Sequence, residues 1–208
     1  MVPQEGFQGE YGAMPAELNE ASYEGQSFQK LALGDGTFQR KDFNRCSFKQ
    51  CDFSAADFSH SVFNDCSFSG CSFASTKFDH CRFKAVVFEE CKLVGVAFQG
   101  VNPFLLDWSF KDCRMKLCNF SNLKMPRSQF ISSVVHETEF VNADVKEGSF
   151  ASCDLKGSKF HQTDLQKVDF SGARDYAIDP TNNKLKGARF SFAEAISLLA
   201  VFGVKVEG

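Results

Sequence analysis

The stretch Cys51-Asp52-Phe53-Ser54-Ala55-Ala56-Asp57-Phe58-Ser59-His60-Ser61-Val62-Phe63 places a phenylalanine at every fifth residue. Read outward, the spacing holds through two runs. The first goes from Leu18, Tyr23, Phe28, Leu33, Phe38 and Phe43 through Phe88, Leu93 and Phe98. The second reads Phe110, Met115, Phe120, Met125, Phe130, Val135, Phe140, Val145, Phe150, Leu155, Phe160, Leu165 and Phe170. Such a period suits neither a helix, at about 3.6 residues, nor a strand, at about 2. It marks an internal repeat, which decides the architecture before any single residue is considered.

Two residues before the large side chain usually stands a small one, such as Ala56, Ser61, Thr76, Ser128, Ala143, Gly148 or Thr163. All nine cysteines occupy this position: Cys46, Cys51, Cys66, Cys71, Cys81, Cys91, Cys113, Cys118 and Cys153. The other three positions carry most of the Asp, Lys, Ser, Gln and Gly. One large and one small inward side chain per unit describe a chain wound about a narrow axis, held together by its interior columns. The spacing of Cys46 from Cys51 invites a zinc reading, but successive units face different sides, and zinc requires converging ligands. The histidines, His60, His80, His136 and His161, all fall at outward positions. The thiols are therefore assigned to the core as small hydrophobes, and no cofactor or metal is expected.

The unit resembles that of the pentapeptide repeat family, commonly written A(D/N)LXX. Cys51-Asp52-Phe53, Ala56-Asp57-Phe58, Cys118-Asn119-Phe120, Cys153-Asp154-Leu155 and Thr163-Asp164-Leu165 match it most nearly. The resemblance implies an all-β fold, a right-handed quadrilateral parallel β-helix with four units per coil. Coils about 4.8 Å apart would stack into a rod of roughly 35–40 Å. The expected organisation is a loosely ordered segment over 1–15, the β-helix over 16–172, and a C-terminal cap and dimerisation segment over 173–208.

Between Phe98 and Phe110 the register slips by two residues. The break, at 99–109, is expected to bulge around Asn102-Pro103, because proline cannot donate to a ladder. Leu105 is expected to resume the register, with Trp108 in a position normally kept small. Phe104, Leu106 and Trp108 have two readings: a plug filling the irregularity from inside, or an anchor for a partner, since Trp is enriched in binding hot spots.

Ser191 and Glu194 have capping-box spacing, so 193–202 reads as a helix ended by Gly203, with Val204-Lys205-Val206 as a short strand. Ile196, Leu199 and Phe202 share one face, with Leu198 beside it. They would cap the rod, or form a homodimer interface, or both. The tail resembles that of the Qnr-like branch of the family, in which C-terminal elements form a two-fold dimer.

A net charge of −3 argues against direct binding of nucleic acid as the main task. No apolar run reaches the length of a membrane span, and the N-terminus lacks a signal peptide's charged and apolar regions, so a cytoplasmic location is expected. No phosphate loop, nucleophile elbow or paired-His metal motif is present in the sequence, and no catalysis is expected. The Qnr-like resemblance implies binding to type II topoisomerases, bacterial DNA gyrase and topoisomerase IV, and their protection from quinolones or a toxin through DNA mimicry. Mimicry needs anions, and Glu137, Glu139, Asp144, Asp154, Asp164 and Asp169 form the candidate acidic face; Asp144 and Asp164 are expected to stack. Lys77, Arg82 and Lys84 interrupt any longer negative stripe. The alternative is a non-enzymatic scaffold or regulatory rod with another partner. An ice- or carbohydrate-binding face would need Thr ladders, which the outward positions do not show.

Overall fold

The computed structural model describes residues 18–204. The chain is a right-handed quadrilateral parallel β-helix of about 8 turns with one short C-terminal helix. Strands of mostly three residues, such as Ser27–Gln29, Ser47–Lys49 and Ser67–Ser69, pair in parallel with the strands one coil away. The central side chain of each points inward and its two neighbours outward, as the alternation of a strand requires.

Each corner is turned by the second residue after the central one. Lys30, Asp35, Arg40, Arg45 and Gln50 have φ between 52° and 57°, and the pattern recurs along the rod. This left-handed conformation is unfavourable for a residue with a Cβ. It recurs here because each corner N–H donates across to the next coil, as from Lys30 to the Lys49 carbonyl (2.9 Å) and from Gln50 to the Ser69 carbonyl (2.8 Å).

The interior is a set of ring stacks. Phe28, Phe48, Phe68, Phe88, Phe110, Phe130, Phe150, Phe170 and Phe190 form one column with successive centroids 4.8 to 5.3 Å apart. A second column runs from Phe38 through Phe58, Phe78, Phe98, Phe120 and Phe140 to Phe160. Neighbouring columns meet edge to face, as Phe48 does Phe53, the arrangement the ring quadrupole favours. The third column holds Tyr23, Phe43, Phe63 and Phe83, then passes to Met125, Val145 and Leu165 beyond the break.

The small positions do more than leave room. The Cys81 thiol donates to the Phe58 carbonyl at 2.9 Å, Cys153 to that of Phe130 at 3.0 Å, and the Thr76 hydroxyl to that of Phe53 at 2.8 Å. A residue here must be compact and, where possible, carry a donor for the coil below, which is why Cys, Ser and Thr interchange. All nine thiols are free and buried. Burial pushes those of Cys66, Cys81 and Cys153 up to about 12.

The break confines its two extra residues to one side of one coil. Val101 holds the small inward position, and the chain then loops out over 103–107. Leu105, expected to resume the register, is 63% exposed at φ 55°; Leu106 turns inward instead. The reason is that a corner falls on Leu105, and a corner side chain points away from the axis. Pairing resumes with Trp108 beside Val86 and Phe110 beside Phe88.

Parallel pairing goes on past Gly172: Phe160 pairs with Ile178, and Phe170 with Phe190, whose rings stack at 5.0 Å. The helix expected over 193–202 is α-helical only at Phe192–Ala195 and continues as a 3-10 helix over Ile196–Phe202. The capping box does not form, because the Ser191 hydroxyl accepts the Gly172 N–H at 2.7 Å and makes no cap bond. The segment 1–15 and residues 205 and 206 of the expected last strand lie outside the described residues.

Candidate protein-interaction surfaces

The six candidate acids do not form one face. Asp144 and Asp164 are parallel neighbours, as their spacing predicts, but their row continues to Lys124 on one side and Lys184 on the other. Asp154 lies in the row of Val134 and Arg174, Glu139 in that of Asn119 and Lys159, and Asp169 in that of Ser149 and Arg189. Glu137 is a corner residue at φ 49°. These rows flank different interior columns, so the acids are spread around all four sides. Asp144 and Asp164 are twenty residues apart, the others are not, and only the full coil length of twenty returns a residue to its own side.

The charges are also largely compensated. Arg174 donates to Asp154 at 2.7 Å and Arg189 to Asp169 at 2.6 Å; Lys159 donates to Glu139 at 3.1 Å. Lys116 lies 3.3 Å from Glu137, and Lys146 3.5 Å from Asp164. These are cross-strand neighbours one coil apart, the positions at which opposite charges attract. Burial raises the Asp154 carboxyl, but hydrogen bonds from His136, the Lys156 backbone and Arg174 outweigh it and hold the group below the usual range. At Asp169, burial is likewise outweighed by Ser171 and Arg189. Asp144 has no ion-pair partner among the described residues; its Oδ1 accepts the Lys146 N–H at 3.1 Å.

At the break, the three residues with two readings divide. Trp108 is 2% exposed and lies against Phe83, Phe98, Phe110 and Phe120, filling the width that the third column vacates. Its indole N–H donates to Ser128 Oγ at 2.8 Å, so the buried ring leaves no donor unpaired. Leu106 is buried with it. Phe104 stands out at 68% exposure, and Asn102 Oδ1 holds its N–H at 2.9 Å.

The projecting loop overhangs two adjoining cavities. One, of about 390 Å³, is lined by Val62, Asn64, Arg82, Lys84, Phe104 and Leu105 among others. The other, of about 280 Å³, has Lys84, Leu105, Asp107 and Arg127 in its walls. This concavity was missed in the sequence, although the row spacing that aligns Val62 with Arg82 is readable there. Among the described residues, no group of three or more His, Cys, Asp or Glu could hold a metal ion. No helix among them is long and apolar enough to cross a membrane.

At the C-terminus, Ile196, Leu199 and Phe202 are 38%, 42% and 59% exposed, while Leu198 packs toward the core. A 3-10 helix eclipses every third residue, so these three form a line. The face read from the sequence thus exists, through a different helix from the one expected.

The family model for a pentapeptide repeat region matches residues 41–103, and that for pentapeptide repeats, in eight copies, matches 138–174. No curated protein matches the chain in sequence. Among solved structures, a trypsin-treated variant of QnrB1, described as a plasmid-mediated fluoroquinolone resistance protein, superposes with a TM-score of 0.56. It is 17% identical, with 90% of this chain and 99% of that one covered. Full-length QnrB1 gives a TM-score of 0.51 at 15% identity, covering 88% and 100%. HetL, from the cyanobacterium Nostoc, gives 0.34 at 12% identity, covering 82% and 87%. The repeat unit, the two matched stretches and the four-sided coil agree, and the chain belongs to the pentapeptide repeat family.

Proposed function

We propose that this protein is a non-catalytic, cytoplasmic rod that works by binding a partner protein, and that the partner is a type II topoisomerase shielded from quinolones or a toxin. The observation that carries the first part is the division of labour along the chain. Large side chains fill a continuous interior, and the polar chemistry lies on outward positions of a rigid surface. The likeness of 90% of the chain to QnrB1, a fluoroquinolone resistance protein, supports the choice of topoisomerase. The ion-paired acids favour a second reading, a scaffold for some other protein, because a neutralised surface is a poor imitation of phosphate. The apolar line of Ile196, Leu199 and Phe202 supports a homodimer through the C-terminus.

DNA supercoiling by gyrase, titrated with this protein with and without a quinolone, separates the two readings. Restored supercoiling under drug is expected; no effect in either condition would leave the scaffold. For the dimer, Leu199→Glu is expected to yield a monomer by light scattering, and a variant that stays dimeric would reduce the segment to a cap.

A further inference from the structure

We infer that the groove beneath the 103–107 loop is a binding site for an extended, acidic and hydrophobic peptide segment of a partner protein. The inference goes beyond the partner's identity and stands whether or not that partner is a topoisomerase.

Three features converge on this one side of the rod. The first is an excess of positive charge, three cations against the carboxylates of Asp42 and Asp107 in the same walls. Arg82, Lys84 and Arg127 are exposed, and no described carboxylate lies within ion-pair distance of them, whereas Lys146, Lys159, Lys167, Arg174, Lys184 and Arg189 are all paired. The second is apolar surface at the same place: Phe104 and Leu105 stand out at 68% and 63% exposure, and Val62 lines the same cavity. The third is shape. The cavities of about 390 and 280 Å³ share Lys84 and Leu105 as walls, so they adjoin on one side of the rod.

Cationic rims around apolar anchors fit alternating acidic and bulky side chains, the pattern of complementary charge about a desolvated hot spot. Phe104 and Leu105 offer apolar contacts to bulky side chains, which a sugar-phosphate backbone lacks. Asp42 and Asp107, one in each cavity wall, oppose a continuous polyphosphate. A peptide is thereby favoured over nucleic acid.

The test is fluorescence polarisation on the full chain with a fluorescein-labelled decapeptide alternating Glu with Phe and Leu. Decaglutamate and decathymidylate serve as competing probes. Saturable binding of the mixed peptide is expected, weakened at least about tenfold by Lys84→Glu and by Phe104→Ser, the scale of one hot-spot contact. Both side chains are exposed, so circular dichroism should show the β-helix unchanged in each variant. Absence of saturable binding overturns the inference. Binding that both variants retain overturns it as well. Tighter binding of decaglutamate or of decathymidylate would replace it with a purely electrostatic or a nucleic-acid site.

Discussion

The two halves of the rod solve the same geometry with different materials. Before the break, three interior columns are mainly aromatic and the fourth holds Phe53 and Phe73 between Leu33 and Leu93, with Phe43, Phe48, Phe53 and Phe58 closing one full coil. After it, Phe120 and Phe130 keep two columns aromatic, while Met125 and Val135 fill the alternate ones. Outside, the cross-coil ion pairs gather in the second half, with Asp154, Asp164 and Asp169 each bound to a cation. A solenoid permits this because each coil answers only to its neighbours. What the core demands is that each column stay filled, and what the surface carries can change from coil to coil. The break is where one filling gives way to the other, and Trp108 bridges the change in width.

The largest effects should come from the core. Phe68→Ala empties a site enclosed by Phe48, Phe53, Phe63, Phe73 and Phe88 and is expected to cost about 3–5 kcal/mol in urea unfolding. Leu165→Ala, in an aliphatic column of the second half, should fall at about 2–5 kcal/mol. A change within about 0.5 kcal/mol at Phe68, as at a surface site, would contradict its place in the core.

The junction offers a sharper contrast within five residues. Trp108→Ala removes the bridging ring and its bond to Ser128, and should cost about 3–5 kcal/mol. Phe104→Ser, on the exposed loop, should stay within about 0.5 kcal/mol. Equal losses at the two positions would mean that the loop is part of the core.

Alkali should act on both halves through Cys66, Cys81 and Cys153. The folded pKa of these three thiols lies above the unfolded value, so their contribution is complete below about 8.5 and is lost as pH rises toward 12. Stability measured by urea unfolding should therefore fall from about pH 8.5 upward, and native thiols should resist labelling until the chain unfolds. Rapid labelling of the folded protein would break the assignment.

The smallest expected effect is the acid limb, weighted toward the second half. Asp154 and Asp169 are depressed when folded, so their contribution is present above about pH 4 and lost as pH falls through the folded values. Asp154→Asn combined with Asp169→Asn should flatten the acid loss of stability. An unchanged acid limb would show that these pairs do not couple to folding.

Much of this was legible in the chain. The five-residue period placed Phe28 through Phe170 inward and the cysteines in the core, and the two-residue slip placed the break. The dual readings at Trp108 and Phe104 could not be parted, because near a register shift spacing no longer says which side chain points in. Leu105 was placed inward for the same reason. The acids were grouped by their nearness in sequence, although residues five apart lie on adjacent sides of a four-sided coil. The capping box expected from Ser191 and Glu194 was pre-empted by a bond from Gly172, nineteen residues away.

The sequence by itself determined the repeat, the identity of the inward columns and the solenoid they require, because a strict period carries the same information at every turn. Only the tertiary structure decided which outward charges cancel, which cations stay unpaired beside the loop, and which cavities the loop walls. Those outcomes depend on contacts between coils twenty or more residues apart, and the two extra residues at the break change that interval. Periodicity can name what faces the axis; the meeting of one coil with the next determines what the rod shows to a partner.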